Sequence, residues 1–209
     1  MSIFWSFDFK ILNGIQNLRT DFFDYFFSTI THLATAGIFW ILLGVFLCLF
    51  IKTRKEGTTV LLALLFNLIV CNLILKVIIA RPRPYTVEEF SLITDPATQL
   101  LVGLPSDWSF PSGHTAASFA TATAMFCNNK KHGIFAYVLA LVIAFSRVYL
   151  YVHFPTDIIG GIVVGSLMGA ITYLVIKILC NNEKYKGYID IYLNLNLKSI
   201  IKRKVVKKW

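Results

Sequence analysis

Two histidines, one carboxylate and a set of cations stand out in a chain that is otherwise short of charge. His153 and Asp157 are four residues apart. At that spacing a carboxylate can accept the N–H of one ring nitrogen, which fixes the tautomer and leaves the other nitrogen with a lone pair able to act as a nucleophile. His114 ends the run Pro111-Ser112-Gly113-His114, directly before Thr115–Cys127, a stretch of Ala, Thr, Phe and Met that reads as a helix. Ser112 is a good N-cap, Gly113 lets a ligand come close to the backbone, and the first-turn N–H groups form a natural anion site. Lys76, Arg83 and Arg147 add three fixed cations. Together with a helix N-terminus they suit a tetrahedral anion of two negative charges. Phosphate fits best, since arginine forks bind its oxygens in pairs. Attack of His153 on phosphorus would give a phosphohistidine. His114 would protonate the leaving oxygen and then activate water, with the cations stabilising charge in the transition state.

Each of these residues also has a plainer explanation. The Ser-Gly-His run could be a capped helix with its His in water. Lys76 lies near a helix end and could snorkel, and the arginines could anchor headgroups. The rest of the chain weighs against those readings. Of 209 residues, 56% are hydrophobic and only 15% charged, with mean hydropathy +0.67. A soluble domain has about 25% charged residues. The apolar excess comes in blocks near the ~20 residues of a bilayer crossing, at Thr31–Ile51, Thr58–Ala80, Ser112–Cys127, Ile134–Tyr151 and Asp157–Leu179. The aromatic and charged residues 3–28 suit an interfacial amphipathic helix broken at Gly14. The fold class is therefore all-α: a polytopic membrane helix bundle of five spans plus that N-terminal helix, with six spans as the alternative. A membrane domain over 1–180 precedes a basic tail over 181–209. The tail alternates apolar and polar residues from Ile189 to Leu197, a strand pattern without an obvious partner.

Charge sets the orientation. The 52–56 and 128–133 turns, the tail and Lys177 hold fourteen of the twenty Lys and Arg residues, which makes their side cytoplasmic by the positive-inside rule. Lys76, Arg81, Arg83 and Arg147 fall on the opposite side, with His114, His153 and Asp157. An ionisable residue within a span is a functional-site hypothesis by default, and convergence of all of them on one face strengthens it. A net charge of +9 placed in this way does not indicate nucleic-acid binding. The N-terminus lacks the basic head and cleavage site of a signal peptide. Cys48, Cys71, Cys127 and Cys180 show no CxxC spacing and read as free thiols in apolar segments. The sequence has no carboxylate cluster or ligand pair for a metal.

Lys76, six residues, Arg83-Pro84; Pro111-Ser112-Gly113-His114; Ser146-Arg147, five residues, His153, three residues, Asp157: in order and spacing these resemble the three-part signature of the type-2 phosphatidic acid phosphatase superfamily, which also contains the vanadium haloperoxidases. The match covers residues 76–157. The resemblance implies a lipid phosphatase without cofactor, acting on a phosphorylated lipid at the bilayer with no protein partner required. His153 would be the nucleophile, His114 the acid and base, and Asp157 the group that orients His153. Lys76, Arg83, Arg147, Ser112 and the Gly113 amide would bind phosphate, with Arg81 one step out of register as an auxiliary. The short layout resembles small bacterial undecaprenyl-diphosphate and phosphatidylglycerophosphate phosphatases, with the site on the extracytoplasmic face of the cell membrane. A lipid phosphotransferase and a non-catalytic carrier of phosphorylated lipids are the alternatives. A carrier would need the cations but not the His153–Asp157 pair. His32 and His132 have no partner at useful spacing and read as structural or solvated, while Asn72 lies one turn from Lys76 and could hold it.

Overall fold

The computed structural model describes residues 3–33, 37–87 and 100–195, which are helical without strands. Helix α1 (Ile3–Gln16) and helix α2 (Asp21–Leu33) form the N-terminal region. The expected single interfacial helix broken at Gly14 is corrected here. Gly14 lies inside α1, and the break falls at 17–20, where Asn17, Leu18 and Arg19 each donate to a carbonyl three residues back. Asp21 and Asp24 then sit in the first turn of α2, where the helix dipole favours acids. Helix α1 does more than lie at a surface: Asp8, Phe9 and Leu12 are buried.

The first apolar block is also divided. Thr31 belongs to α2, Gly37 takes a left-handed φ of 70°, and helix α3 covers only Ile38–Leu49. Its 12 residues span about 18 Å, short of the roughly 30 Å hydrocarbon layer. Helix α4 (Arg54–Asn67) begins ahead of the expected Thr58, so Arg54, Lys55 and Glu56 form its first turn and not a loop. It continues as a π-helix over Leu68–Leu75 and a last α-turn, α5 (Lys76–Ile79). Ala80 turns left-handed at φ 45°, just before Arg81-Pro82, where a helix cannot continue without loss.

Helix α6 (Gly113–Asn128) starts at the Ser112 N-cap, α7 (Lys130–Tyr149) at the Asn129 cap, and α8 (Pro155–Asn181) with Pro155 in its first turn, the position proline prefers. Helix α9 (Glu183–Asn194) replaces the strand suggested by alternation. Asn182 caps it, and Arg54 Nη1 donates to the carbonyls of Tyr192, Leu193 and Leu195 at 2.9, 3.1 and 2.7 Å. A helix end satisfied in this way needs no partner strand. Residues 196–209 lie outside the described part.

Helices α6 and α8 form the centre of the bundle. A Cβ placed on Gly165 would stand 2.2 Å from the Ala116 carbonyl oxygen, one on Gly169 2.5 Å from that of Ala120, and one on Gly161 2.9 Å from that of Ser112. The four-residue glycine repeat therefore works as a close-packing face. Trp40 of α3 is buried and donates from Nε1 to Ser118 Oγ at 2.9 Å, tying α3 to the centre. Arg54–Thr86, Lys130–Tyr149 and Pro155–Asn181 are long and apolar enough to cross a membrane, and α3 is a shorter apolar helix.

Candidate active site

His153 is held by the corner between α7 and α8. The Arg147 carbonyl accepts the N–H groups of both Val152 and His153, at 3.2 and 3.3 Å, and Tyr151 takes a positive φ of 62° between them. The five-residue gap from Arg147 to His153 thus folds the histidine back over the end of α7. At the start of α8, Asp157 Oδ2 accepts the Phe154 N–H at 2.9 Å and faces His153 Nδ1 at 3.4 Å. The other ring nitrogen, Nε2, lies 3.3 Å from Arg83 Nη1. With Nδ1–H given to Asp157, Nε2 keeps its lone pair beside a guanidinium. Burial, and then the charges of Arg83, Arg147 and Lys76, press the His153 pKa well below the usual histidine range. The ring is therefore neutral at physiological pH.

Asp157 is fully buried and held on both oxygens. Besides Phe154 N–H, Oδ2 accepts a short hydrogen bond from Ser109 Oγ, which also lies 3.4 Å from His153 Nδ1. Oδ1 pairs with Arg81 at 2.6 Å. Arg81 reaches on to the buried Asp8 of α1 at 2.6 Å, donates to Thr156 Oγ1, and lies over the Phe154 ring. Its place is thus behind Asp157, away from the cavity lining.

The cavity has a volume of about 580 Å³. Lys76, Arg83, His114, Arg147, His153, Gly113 and Asp107 line its polar end, and Ile41, Leu61, Leu64, Leu65 and Leu68 its apolar wall. The π-helix helps shape this lining. A helix whose hydrogen bonds close every five residues brings residues five apart toward one face, and Asn67 and Asn72 both face the cavity. The Asn72 Oδ1 would be only 3.0 Å from a Cβ on Gly113, so a side chain there would crowd the wall. Arg147 is 4% exposed, donates from Nη1 to Thr31 Oγ1 at 2.5 Å, and has no partner for its buried Nε among the described residues.

The structure therefore brings Lys76, Arg83, Gly113, His114, Arg147 and His153 onto one cavity, with Asp157 directly behind His153. Ser112 is not in the lining. Its Oγ accepts from the N–H and hydroxyl of Thr115 and caps α6. Asn72 shares the cavity with Lys76, but the lysine is paired with Asp107. Sequence reasoning missed Asp107, Ser109, Thr31 and Asp8. Asp107 and Ser109 sit just before the Pro-Ser-Gly-His run, and that adjacency was the one available signal.

The sequence matches the PAP2 superfamily over residues 56–179, and the chain belongs to that family. Two relatives show what its members do. The undecaprenyl-diphosphatase of Sulfolobus acidocaldarius is 34% identical over 61% of this chain, which spans 58% of that relative's length. The lipid A 4'-phosphatase of Porphyromonas gingivalis is 30% identical over 80% of this chain and 70% of its own. The crystal structure of the transmembrane PAP2-type phosphatidylglycerolphosphate phosphatase of Bacillus subtilis superposes with a TM-score of 0.70 at 26% identity, covering 86% of this chain and 89% of that one. Both relatives and the solved structure carry the names of phosphatases acting on membrane lipids.

Proposed function

We propose that this enzyme hydrolyses a terminal phosphate or diphosphate of a long-chain membrane lipid through a phosphohistidine on His153. Undecaprenyl diphosphate and phosphatidylglycerophosphate are the leading candidates. The observation that carries the reading is the cavity itself, which joins three cations and two histidines to a wall of leucines. A charged head on a long apolar chain fits both ends at once.

His153 Nε2 attacks phosphorus while the bond to the lipid oxygen breaks. Nδ1 keeps its proton and donates to the Asp157 carboxylate, which stabilises the positive ring as it forms. His114 donates its proton to the departing oxygen. Lys76, Arg83 and Arg147 hold the phosphoryl oxygens. Water then gives a proton to His114 and attacks phosphorus, the P–N bond breaks, and inorganic phosphate leaves with both histidines restored.

We place this site at the extracytoplasmic face, because the basic segments lie at the other end of the helices. Helices α3, α4, α6, α7 and α8 are taken as the five membrane segments. The test is a panel of prenyl diphosphates, phosphatidylglycerophosphate and phosphatidic acid assayed with purified protein, with brief ³²P labelling and quenching. The expected result is an acid-labile, base-stable label on the wild type that His153→Ala lacks. Wild-type turnover by that variant would remove His153 as nucleophile.

A further inference from the structure

Lys76 and Arg83 are not waiting empty-handed. Asp107 reaches both from the segment just before α6: one carboxylate oxygen contacts Lys76 Nζ closely and the other lies 2.5 Å from Arg83 Nη2. The Asp107 carbonyl also accepts from Arg83 Nε, at 2.8 Å. Both cations are nearly buried, with side-chain exposures of 7% and 4%, while the Asp107 side chain is 55% exposed and lines the cavity. A carboxylate open to the cavity thus stands on two of the three cations assigned to substrate phosphate.

We propose that Asp107 is a specificity-determining residue: its carboxylate occupies the phosphate position until a more highly charged phosphate displaces it. This rests on the reading of Lys76 and Arg83 as phosphate ligands. The consequence follows from charge. A phosphodiester lipid carries one negative charge, like the carboxylate it would have to displace, and it gains nothing by the exchange. A terminal phosphate carries about −1.5 to −2 at neutral pH and displaces Asp107 with a net Coulombic gain. The bilayer is full of diester headgroups, and the filter keeps them off the cations while admitting the end-phosphorylated lipid. After hydrolysis the same carboxylate competes with the inorganic phosphate product and speeds its release.

The experiment compares wild type with Asp107→Asn in detergent micelles. Equilibrium binding of inorganic phosphate, measured without turnover, is expected to tighten about tenfold in the variant. Phosphatidylglycerol added to the micelles is expected to inhibit hydrolysis of phosphatidic acid by the variant and not by wild type. Unchanged or weaker phosphate binding in Asp107→Asn overturns the proposal, because a carboxylate that merely positions Lys76 and Arg83 would be missed on removal. Tighter phosphate binding with no diester inhibition overturns the filter. If Asp107→Asn does not fold, the wild type still decides. Trp108 is 47% exposed beside Asp107, and its fluorescence, isolated by difference against Trp108→Phe, should change on phosphate saturation. No change overturns displacement. Phosphate binding that behaves as expected in a protein that hydrolyses no lipid phosphate would sink the phosphatase reading and leave the competition intact.

Discussion

Among the described residues stand two histidine–carboxylate pairs, one at each end of the bundle, and they are built for different ends. At one end His153 and Asp157 are almost wholly buried, at 1% and 0% side-chain exposure. Three cations and a cavity adjoin them. At the other end His132 Nδ1 lies 3.0 Å from Glu56, with the histidine 40% exposed. That pair ties the start of α7 to the first turn of α4. Its neighbours are Asn129 of the helix cap and an apolar groove containing Trp40 and Phe135. The lesson is that a His–carboxylate contact alone does not make a site. What differs is the second ring nitrogen: in His153 it faces a guanidinium and the cavity, whereas in His132 it faces an asparagine side chain.

The comparison can be broken most severely at Asp157 and its support. Arg81→Ala leaves two buried carboxylates, Asp8 and Asp157, without their shared cation. Breaking such a buried cluster costs about 3–5 kcal/mol, so a fall in Tm large enough to limit expression at 37 °C is expected. Milder Arg81→Lys is expected to keep the fold and lose activity through kcat more than KM, since the arginine acts through Asp157. A KM-only effect would place Arg81 on substrate instead. Ser109→Ala removes one short hydrogen bond to Asp157 and is expected to lower kcat about tenfold, the equivalent of about 1.4 kcal/mol, with Tm little changed.

A pH–rate profile sharpens the contrast further. A lowered pKa means that His153 stays neutral, and competent to attack, at pH values below the ordinary histidine range near 6.5. The acid limb of kcat/KM assigned to the nucleophile should therefore lie below that value; a limb at or above it would contradict a buried neutral ring. Asp107 does not create that limb. Burial alone would raise its pKa, but the Lys76 and Arg83 cations outweigh burial and hold it at about 2. Its pairing is fully present above the ordinary carboxylate pKa near 3.8 and is lost only as pH falls toward 2. The smallest effect on turnover is expected at the other end of the bundle. His132→Ala should cost about 1–3 kcal/mol of stability, because it leaves the nearly buried Glu56 carboxylate without its partner, and leave turnover within about twofold.

Much of the site was legible because it lies in helix-end motifs whose spacing carries the geometry. Arg147, His153 and Asp157 follow one another around a single corner, so their separations in sequence translate directly into reach. Asp107 and Ser109 were not legible in the same way. Their roles depend on where an irregular segment is laid, fixed by Ser109 N–H donating to the Arg81 carbonyl and by Tyr85 Oη donating to that of Pro105. The fold shows the same divide. The glycine repeat of α8 pointed to a close-packing face but not to α6 as the helix pressed on it, and hydropathy could not reveal that the first block breaks at Gly37. Alternation over 189–197 misled because it ignores the carbonyls at the end of α9, which Arg54 takes up.

The glycine seam has a consequence for how such an enzyme can diverge. With Gly161, Gly165 and Gly169 pressed on the backbone of α6, the helices that carry His114 and Asp157 are locked in register, and almost any side chain added between them would be lost to selection. The leucines that face the apolar part of the cavity lie on α4 and its π-helical continuation, outside that seam. On the proposed reading, exchanging residues there would retune which lipid is accepted without touching His114, His153 or Asp157. Of the cations assigned to phosphate, only Lys76 shares that continuous helix with the leucines.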